Sequence, residues 1–238
     1  MAQISQAKSP PEGVSLASGG SGFDDQTFAI ANVITLLKQP GNLQDYLKRL
    51  TNVVGSQEAQ RIVNQALVLL HAGAVDFLYH FDVLRTNRRI QFTVHNYQDF
   101  LLGKLQDFLK ELYDLGCRRI IVSNLPPLGC LPITMTVNSP IWGGCIEKIN
   151  VDTRSYNDKL GNLLPQVQAK LPGIKLVYQD TYGLDLWKLD EDVAVLDYWN
   201  LGPGVAQSLQ FVGSLPSIYF GIAFIQLKQH TGLWPRKS

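Results

Sequence analysis

Three short, mainly apolar runs separated by helix-length connections constrain the fold of this chain most strongly. They span residues 66–70, 119–123 and 175–178. Runs of this kind are typical of strands that are buried on both faces of a parallel sheet. Because strands joined by helix-length connections pair in parallel, the sequence predicts a three-layer α/β/α fold, in which helices cover both faces of a parallel sheet.

Before and between these runs, apolar residues recur at the i, i+3, i+4 and i+7 spacing of an amphipathic helix. The pattern predicts helices at residues 26–38, 43–50, 97–115 and 156–171. Pro40 and Gly41 are predicted to end the first of these helices, and Gly116 to cap the third. Residues 13–22 are predicted to form a short strand that runs into a turn.

Ligands of parallel sheets bind beyond the carboxyl ends of the strands. Three loops are predicted to reach that edge, at residues 18–22, 73–77 and 124–129. The first loop is rich in glycine, so its backbone N–H groups are not shielded by side chains. That composition suits an anion or oxyanion site, and it equally suits a tight structural turn.

Nucleophilic catalysis needs an activated Ser or Cys and a histidine base. His71 is the best placed histidine because it follows the first apolar run, although a structural role at the strand end is favoured. His80 and His95 are predicted to lie at the surface, and His230 lies in a segment with no clear pattern. The glycine-rich segment is not a P-loop, and Phe23 stands where a Gly-x-Ser-x-Gly elbow needs its second glycine.

Neither the acidic residues nor the cysteines predict a metal site. Asp24 and Asp25 are interpreted as the N-cap region of a helix. Cys117, Cys130 and Cys145 include no pair with C-x-x-C spacing, so zinc and thioredoxin-like sites are not indicated. Two arrangements stay open: a disulfide between Cys130 and Cys145 in an oxidising compartment, or three free thiols.

The composition excludes several classes of protein. The 238 residues carry 21 basic and 20 acidic side chains, a net charge of +1, which leaves no basic surplus for binding nucleic acid. The longest apolar run, at residues 218–227, is interrupted by Gly221 and Gln226 and is shorter than the ~20 residues of a membrane span. Residues 1–11 show no apolar run behind a basic start, as a secretory signal would.

Six segments resemble, in order and spacing, those of the plant GDSL esterase/lipase family, a branch of the SGNH hydrolases. Residues 13–25 resemble the family's second sequence block, and residues 72–77 resemble its third block, which is normally Gly-x-Asn-Asp. The other segments resemble the family's middle region and lie at residues 115–120, 125–132, 156–160 and 171–180.

The resemblance implies hydrolysis of acyl esters by a serine nucleophile, with no cofactor and no metal. Esters of lipids or acetylated glycans are the implied substrates, and the implied location is extracellular. In the family the oxyanion is held by the serine N–H, a glycine of the second block and the asparagine of the third. Only the glycine carries over, at Gly19, or at Gly20 if the register slips, because Val75 replaces the asparagine.

The family's two catalytic blocks are not found in this sequence. No Gly-Asp-Ser occurs, and no Asp-x-x-His follows Tyr182. The resemblance therefore implies an incomplete member of the family, truncated at its first strand and its C-terminal helix, which does not hydrolyse esters as written. The alternatives are a non-catalytic protein that binds acyl or glycan groups, and the product of an incomplete gene model.

The resemblance also divides the chain into three parts. Residues 1–12 are predicted to be a loose arm, residues 13–183 a partial SGNH hydrolase-like α/β domain, and residues 184–238 a divergent tail. The implied partner is a small acyl-ester or acetylated-glycan substrate. Binding of nucleic acid and a membrane span are not predicted.

Overall fold

A three-stranded parallel sheet organises the computed structural model, which describes residues 14–138 and 144–183. The strands are β1 (Leu67–Leu70), β2 (Arg119–Ser123) and β3 (Lys175–Gln179), in the spatial order β1-β2-β3. The register places Val68 opposite Ile120, and Ile120 opposite Leu176. The three strands predicted from the apolar runs and the α/β fold class are therefore confirmed.

Eight α-helices flank or connect the strands within the described ranges. They are α1 (Asp25–Ala31), α2 (Gln39–Val54), α3 (Ser56–Gln65), α4 (Ala74–Phe77), α5 (Arg88–Gln91), α6 (Val94–Asp114), α7 (Pro132–Asn138) and α8 (Glu147–Lys170). A π-helical turn, Leu78–Asp82, continues α4, and 3-10 turns occur at Leu36–Lys38 and Leu128–Cys130. The long crossovers that make the strands parallel are built on α6 and α8.

Both faces of the central strand are covered. Ile120, Ile121 and Val122 point alternately to the two faces of β2, and all three are buried. In β3, by contrast, Val177 and Tyr178 are exposed. The prediction of strands buried on both faces therefore holds for β2 and is wrong for β3, which lies at the edge of the described sheet.

The prediction of one helix over residues 26–38 is wrong. Helix α1 ends at Ala31, where Asn32 adopts a left-handed conformation with φ of 50° and its N–H donates to the Phe28 carbonyl. Pro40 then lies in the first turn of α2 instead of ending a helix. A first-turn position suits proline, because no intrahelical bond needs its missing N–H there.

The strand predicted within residues 13–22 does not form. Val14 and Leu16 are buried and Ser15 is exposed, and this alternation imitates a strand. The segment pairs with none of the described strands and passes into a turn, in which the Ser21 N–H donates to the Ser18 carbonyl at 3.1 Å.

The two long predicted helices are confirmed with different starts. The Thr93 side chain accepts from the Asn96 N–H and caps α6, and Gly116 follows that helix with φ of 101°. Helix α8 begins at Glu147, well before the predicted start. Polar residues on its buried side, Asn150 and Thr153 among them, hide the apolar periodicity of its first half.

The cysteines form one disulfide, which decides between the two arrangements left open by their spacing. Cys130 and Cys145 are bonded, and Cys117 is a buried free thiol. Within the described ranges, no helix combines the length and apolar character needed to cross a membrane. The predicted arm 1–12, the tail 184–238 with His230, and the apolar run 218–227 lie outside the described residues.

Candidate functional site

The carboxyl ends of the three parallel strands bring three loops to one edge of the sheet. Residues 71–73 follow β1, residues 124–131 follow β2, and residues 180–182 follow β3. Parallel α/β sheets bind their ligands at this edge. The glycine-rich turn 18–22 joins these loops through contacts with α4, which begins directly after Gly73.

Asp76 of α4 holds the residues that follow the glycine-rich turn. Its carboxylate accepts from the N–H of Phe23 at 2.9 Å, the N–H of Asp24 at 3.1 Å and the Thr27 hydroxyl at 2.6 Å. Gly22 lies so close that a Cβ there would come within 2.2 Å of Asp76 Oδ1. The third-block carboxylate therefore fixes the shape of the second-block loop.

Burial and hydrogen bonding act on Asp76 in opposite directions. The side chain is fully buried, and this desolvation raises the pKa of its carboxyl to about 7, although the bonds from Thr27, Phe23 and Asp24 favour the ionised form. The Asp24 carboxylate also raises the pKa of Asp76. Asp76 thus titrates near neutral pH.

Asp24 is the second carboxylate of this cluster and caps α1 as predicted. Its Oδ1 accepts from the Gln26 N–H at 2.9 Å, while Arg88 Nε and Nη2 each donate to the carboxylate at 2.8 Å. The Tyr97 hydroxyl donates to Oδ2 at 3.0 Å. Burial raises the pKa of Asp24, but these donors outweigh it and hold the pKa below its ordinary value.

His80 lies in the same cluster, so the prediction of a surface position is wrong. It is completely buried, with Nε2 at 2.9 Å from Thr27 Oγ1 and Nδ1 at 2.6 Å from Thr86 Oγ1. Burial lowers its pKa, although the Asp24 carboxylate opposes this. The Thr27 hydroxyl therefore contacts both the Asp76 carboxylate and the His80 ring.

The Thr27, His80 and Asp76 side chains form a hydroxyl–imidazole–carboxylate cluster, but it is not suited to attack an ester. All three side chains are fully buried. Thr27 Oγ1 donates a hydrogen bond to Asp76 Oδ1 and also contacts His80 Nε2. Since a nucleophile must reach the substrate and lose its proton to the base, this cluster is structural and orients the loop.

The remaining described histidines differ in burial. His71 is partly buried after β1, and desolvation lowers its pKa from 6.5 to about 4, so its ring is neutral at pH 7. His95 is exposed near the start of α6, where its Nε2 lies 3.7 Å from Asp99 Oδ2. The surface position predicted for His95 is therefore confirmed.

Gly19 lies at the exposed tip of the turn that Ser18 and Ser21 close. A Cβ at Gly19 would meet no atom within 4 Å, and Gly20 adopts a φ of 84°. The Ser18 hydroxyl accepts from the Ile34 N–H at 3.2 Å. The open space beside Gly19 leaves room for a ligand atom. Val75, by contrast, is buried and offers no side-chain donor.

Asparagine side chains fix the loop after β2. Asn124 donates to Tyr178 Oη and Asp180 Oδ1 at 2.8 Å, and its Oδ1 accepts from the Thr181 N–H at 2.6 Å. Asn157 of α8 donates to the Leu125 carbonyl and accepts from the Leu125 N–H.

A second asparagine of α8 fixes the end of the same loop. Asn150 accepts from the Gly129 N–H at 2.8 Å and lies beside Cys130.

No group of three or more His, Cys, Asp or Glu residues suited to hold a metal occurs among residues 14–138 and 144–183. The adjacent carboxylates of Asp24 and Asp25 have separate surroundings. Asp24 is buried against Arg88, while Asp25 is exposed in the first turn of α1. Their arrangement is that of a helix start.

Residues 2–194 match the family model described as GDSL-like Lipase/Acylhydrolase. The chain belongs to this family. Over 171 residues it is 45% identical to the GDSL esterase/lipase At1g58430 of Arabidopsis thaliana and 44% identical to At2g30220 of the same plant. These alignments cover 71% of the chain and 48% of each relative, so the chain spans about half the length of the curated relatives it matches. The predicted resemblance is confirmed.

Sequence reasoning placed the glycine-rich turn of this family member at the sheet edge but missed the cluster beneath it. Asp76 and His80 are four residues apart on one continuous helical segment, so they lie on the same face. That spacing is the signal that would have found His80. The partners Asp24 and Arg88 are 64 positions apart in the sequence.

Proposed function

We propose that this chain is a homologue of the ester hydrolases of its family that binds acyl esters of lipids or acetylated glycans and, in the 238 residues as printed, does not turn them over. The observation that carries the proposal is the position of the glycine-rich turn. It lies where the parallel strands end, and Asp76 holds its C-terminal side. In this position, backbone N–H groups stabilise the negative charge that develops on a carbonyl oxygen.

Gly19 is the proposed oxyanion donor. It is exposed, and the space where a side chain would stand is open, so no side chain of its own shields its backbone. One such donor typically contributes about 3–4 kcal/mol to the transition state. That amount does not replace a nucleophile and a base, which the family takes from its Gly-Asp-Ser and Asp-x-x-His blocks.

The proposed activity of the 238 residues as printed is therefore binding without turnover. Neither catalytic block occurs in the sequence, and Val75 stands in place of the asparagine donor. The hydroxyl of the buried Thr27 and the ring of the buried His80 bond each other and are shielded from substrate. The loops after β1 and β2 lie at the edge where parallel sheets bind their ligands, which supports a non-catalytic acyl-binding role.

A pair of variants at Gly19 tests both parts of this proposal. Gly19→Pro removes the backbone N–H, whereas Gly19→Ala keeps it and adds a methyl group into open space. We expect no turnover of p-nitrophenyl butyrate above the buffer rate by any of the three proteins. Turnover by the wild type and Gly19→Ala that is lost in Gly19→Pro would overturn the inactivity and support the donor role.

Binding is measured separately, with octanoate as a carboxylate that imitates the oxyanion. Saturable binding is expected for the wild type and for Gly19→Ala, and roughly tenfold weaker binding for Gly19→Pro, the effect of one lost hydrogen bond to a charged group. Octanoate binding that is equal in all three proteins, or absent from the wild type, contradicts the assignment of Gly19.

An extracellular location is proposed together with this function. The Cys130–Cys145 disulfide supports it, because disulfides persist in oxidising compartments and are rare in the cytosol. The relatives named above are plant proteins, and members of the plant family are usually secreted.

A further inference from the structure

Two neighbouring segments expose apolar side chains and arginines on one part of the surface. The first comprises residues 84–91, where Ile90 is 85% and Leu84 53% exposed, and the second is α7, where Ile133 and Val137 are exposed. The exposed residues of this surface, here named the apolar-basic face, are Leu84, Arg85, Arg89, Ile90, Ile133 and Val137.

Contacts around Asp82 join the two segments into one face. The Asn138 side-chain amide at the end of α7 donates to the Asp82 carbonyl at 3.0 Å, and Arg85 donates to Asn138 Oδ1. Arg85 and Arg89 both act electrostatically on the Asp82 carboxyl. Helices α5 and α7 also both pack against the π-helical turn Leu78–Asp82.

The charge on this face is positive where it is exposed. Helix α7 contains no charged residue, and Asp82 is the one acidic residue in residues 78–91. The carboxyls of Asp82 and the neighbouring Asp152 are both partly buried, while Arg85 and Arg89 are exposed. Exposed aliphatic side chains beside cations are the pattern of a surface that lies in the headgroup region of an anionic bilayer.

The face lies beside the candidate site. Arg88, next to the exposed Arg89, turns inward and forms a bidentate ion pair with Asp24. This pair fixes α5 against the loop that follows the glycine-rich turn. Helix α7 begins directly after the loop 124–131, and residues 84–91 follow α4 and the π-helical turn, which begin after the loop 71–73.

We propose that the apolar-basic face docks onto an anionic phospholipid surface and turns the carboxyl edge of the sheet toward the lipid. Leu84 and Ile90 enter the boundary between headgroups and acyl chains, and Arg85 and Arg89 pair with lipid phosphates. This inference goes beyond the proposed function. Docking requires neither turnover nor the Gly19 donor, so its failure and that of ester hydrolysis are separate results.

Co-sedimentation with vesicles tests the docking. Wild-type protein is mixed with vesicles of equal parts phosphatidylcholine and phosphatidylserine, and with vesicles of phosphatidylcholine alone. We expect binding to the mixed vesicles and much weaker binding to the neutral ones. Ile90→Ser is expected to lower the partition coefficient roughly tenfold, because the lipid then buries less apolar area. The double variant Arg85→Gln, Arg89→Gln is expected to lower the partition coefficient about fivefold for each charge that it removes.

Val53→Ser is the matched control. Val53 is 76% exposed and lies on α2, away from the face, so this variant is expected to bind like the wild type. Three results would overturn the proposal: the wild type does not bind vesicles, Val53→Ser loses as much binding as Ile90→Ser, or the wild type binds both vesicle types equally. So would a wild-type dimer that Ile90→Ser dissociates without vesicles present, because the face then binds a second copy. Urea unfolding of each variant confirms that the fold is retained.

Discussion

The carboxyls of Asp24 and Asp76 lie in one buried cluster, yet their pKa values are moved in opposite directions. Both are desolvated, but Asp24 receives a bidentate guanidinium while Asp76 receives only neutral donors. An ionised partner is a stronger hydrogen-bond donor than a neutral one. Asp24 therefore stays ionised, and Asp76 sits near its titration point at neutral pH.

The close approach of Gly22 to Asp76 gives a first prediction at this scale. Gly22→Ala forces a methyl group into the carboxylate and is expected to lower the free energy of unfolding by about 1–3 kcal/mol, as overpacking does. Gly19→Ala is the control, since its methyl group meets nothing, and its stability is expected within about 0.5 kcal/mol of the wild type. Urea unfolding measures both, and equal stabilities would contradict the packing described.

The desolvation of His71 predicts a pH dependence of stability. Its pKa is 6.5 in an unfolded chain and about 4 when folded, so the unfolded state binds more protons between these values. Stability is therefore fully present above pH 6.5 and is lost as the pH falls toward 4, by at most about 1.4 kcal/mol per pH unit.

Comparison with a variant isolates this contribution. His71→Gln removes the titrating ring, so its free energy of unfolding is expected to fall less steeply than that of the wild type between pH 6.5 and 4. Urea unfolding is measured at several pH values in that window. Parallel pH profiles for the two proteins would show that His71 is not desolvated in the folded state.

Among the elements, the strands and the long helix α6 could be predicted from local sequence, but several boundaries could not. Apolar runs of strand length and a regular apolar stripe are local signals, and they gave β1, β2, β3 and α6 correctly. Helix α8 was predicted too short because Asn150 and Thr153 occupy buried positions. Asn150 is explained by the loop after β2, because it accepts from the Gly129 N–H, whereas the Thr153 hydroxyl donates to the Ile149 carbonyl of its own helix.

The ties between α8 and that loop lead to a prediction at the scale of elements. Asn157→Ala removes both bonds to Leu125 and leaves a buried N–H and a carbonyl without partners, so we expect a loss of about 1–3 kcal/mol. Asn162→Ala, on the exposed side of the same helix, is expected to change stability by less than about 0.5 kcal/mol. Similar urea midpoints for the two variants would argue against the anchoring role.

At the scale of the whole molecule, sequence reasoning gave the fold class, the family and the edge that holds the site. It did not give the cluster of Asp24, Thr27, Asp76 and His80, because most of the bonds that hold this cluster join residues 49 to 73 positions apart. No periodicity carries information over such separations. His80 was misplaced for this reason, since its buried partner Thr27 is 53 positions away in the sequence, although its other partner, Thr86, is only six positions away.

The disulfide gives a prediction for the whole chain and its compartment. In denaturant without a reductant, each molecule is expected to show one reactive thiol, that of Cys117, and three after reduction. Reduction is also expected to lower stability by about 3 kcal/mol, the value for a closed loop of 15 residues. Three thiols in the unreduced chain, purified from an oxidising compartment, would contradict the bond and the proposed location.

The same disulfide also determines where the chain tolerates added length. Cys130 and Cys145 are 15 positions apart, and beside the bond the Ile146 N–H donates to the Gly129 carbonyl at 2.8 Å. With both ends of this segment fixed, doubling its length costs only about 0.6 kcal/mol of closure entropy, and the strand register is unaffected. A labelling peptide inserted between Asn138 and Gly144 is therefore expected to leave the carboxyl edge of the sheet in place.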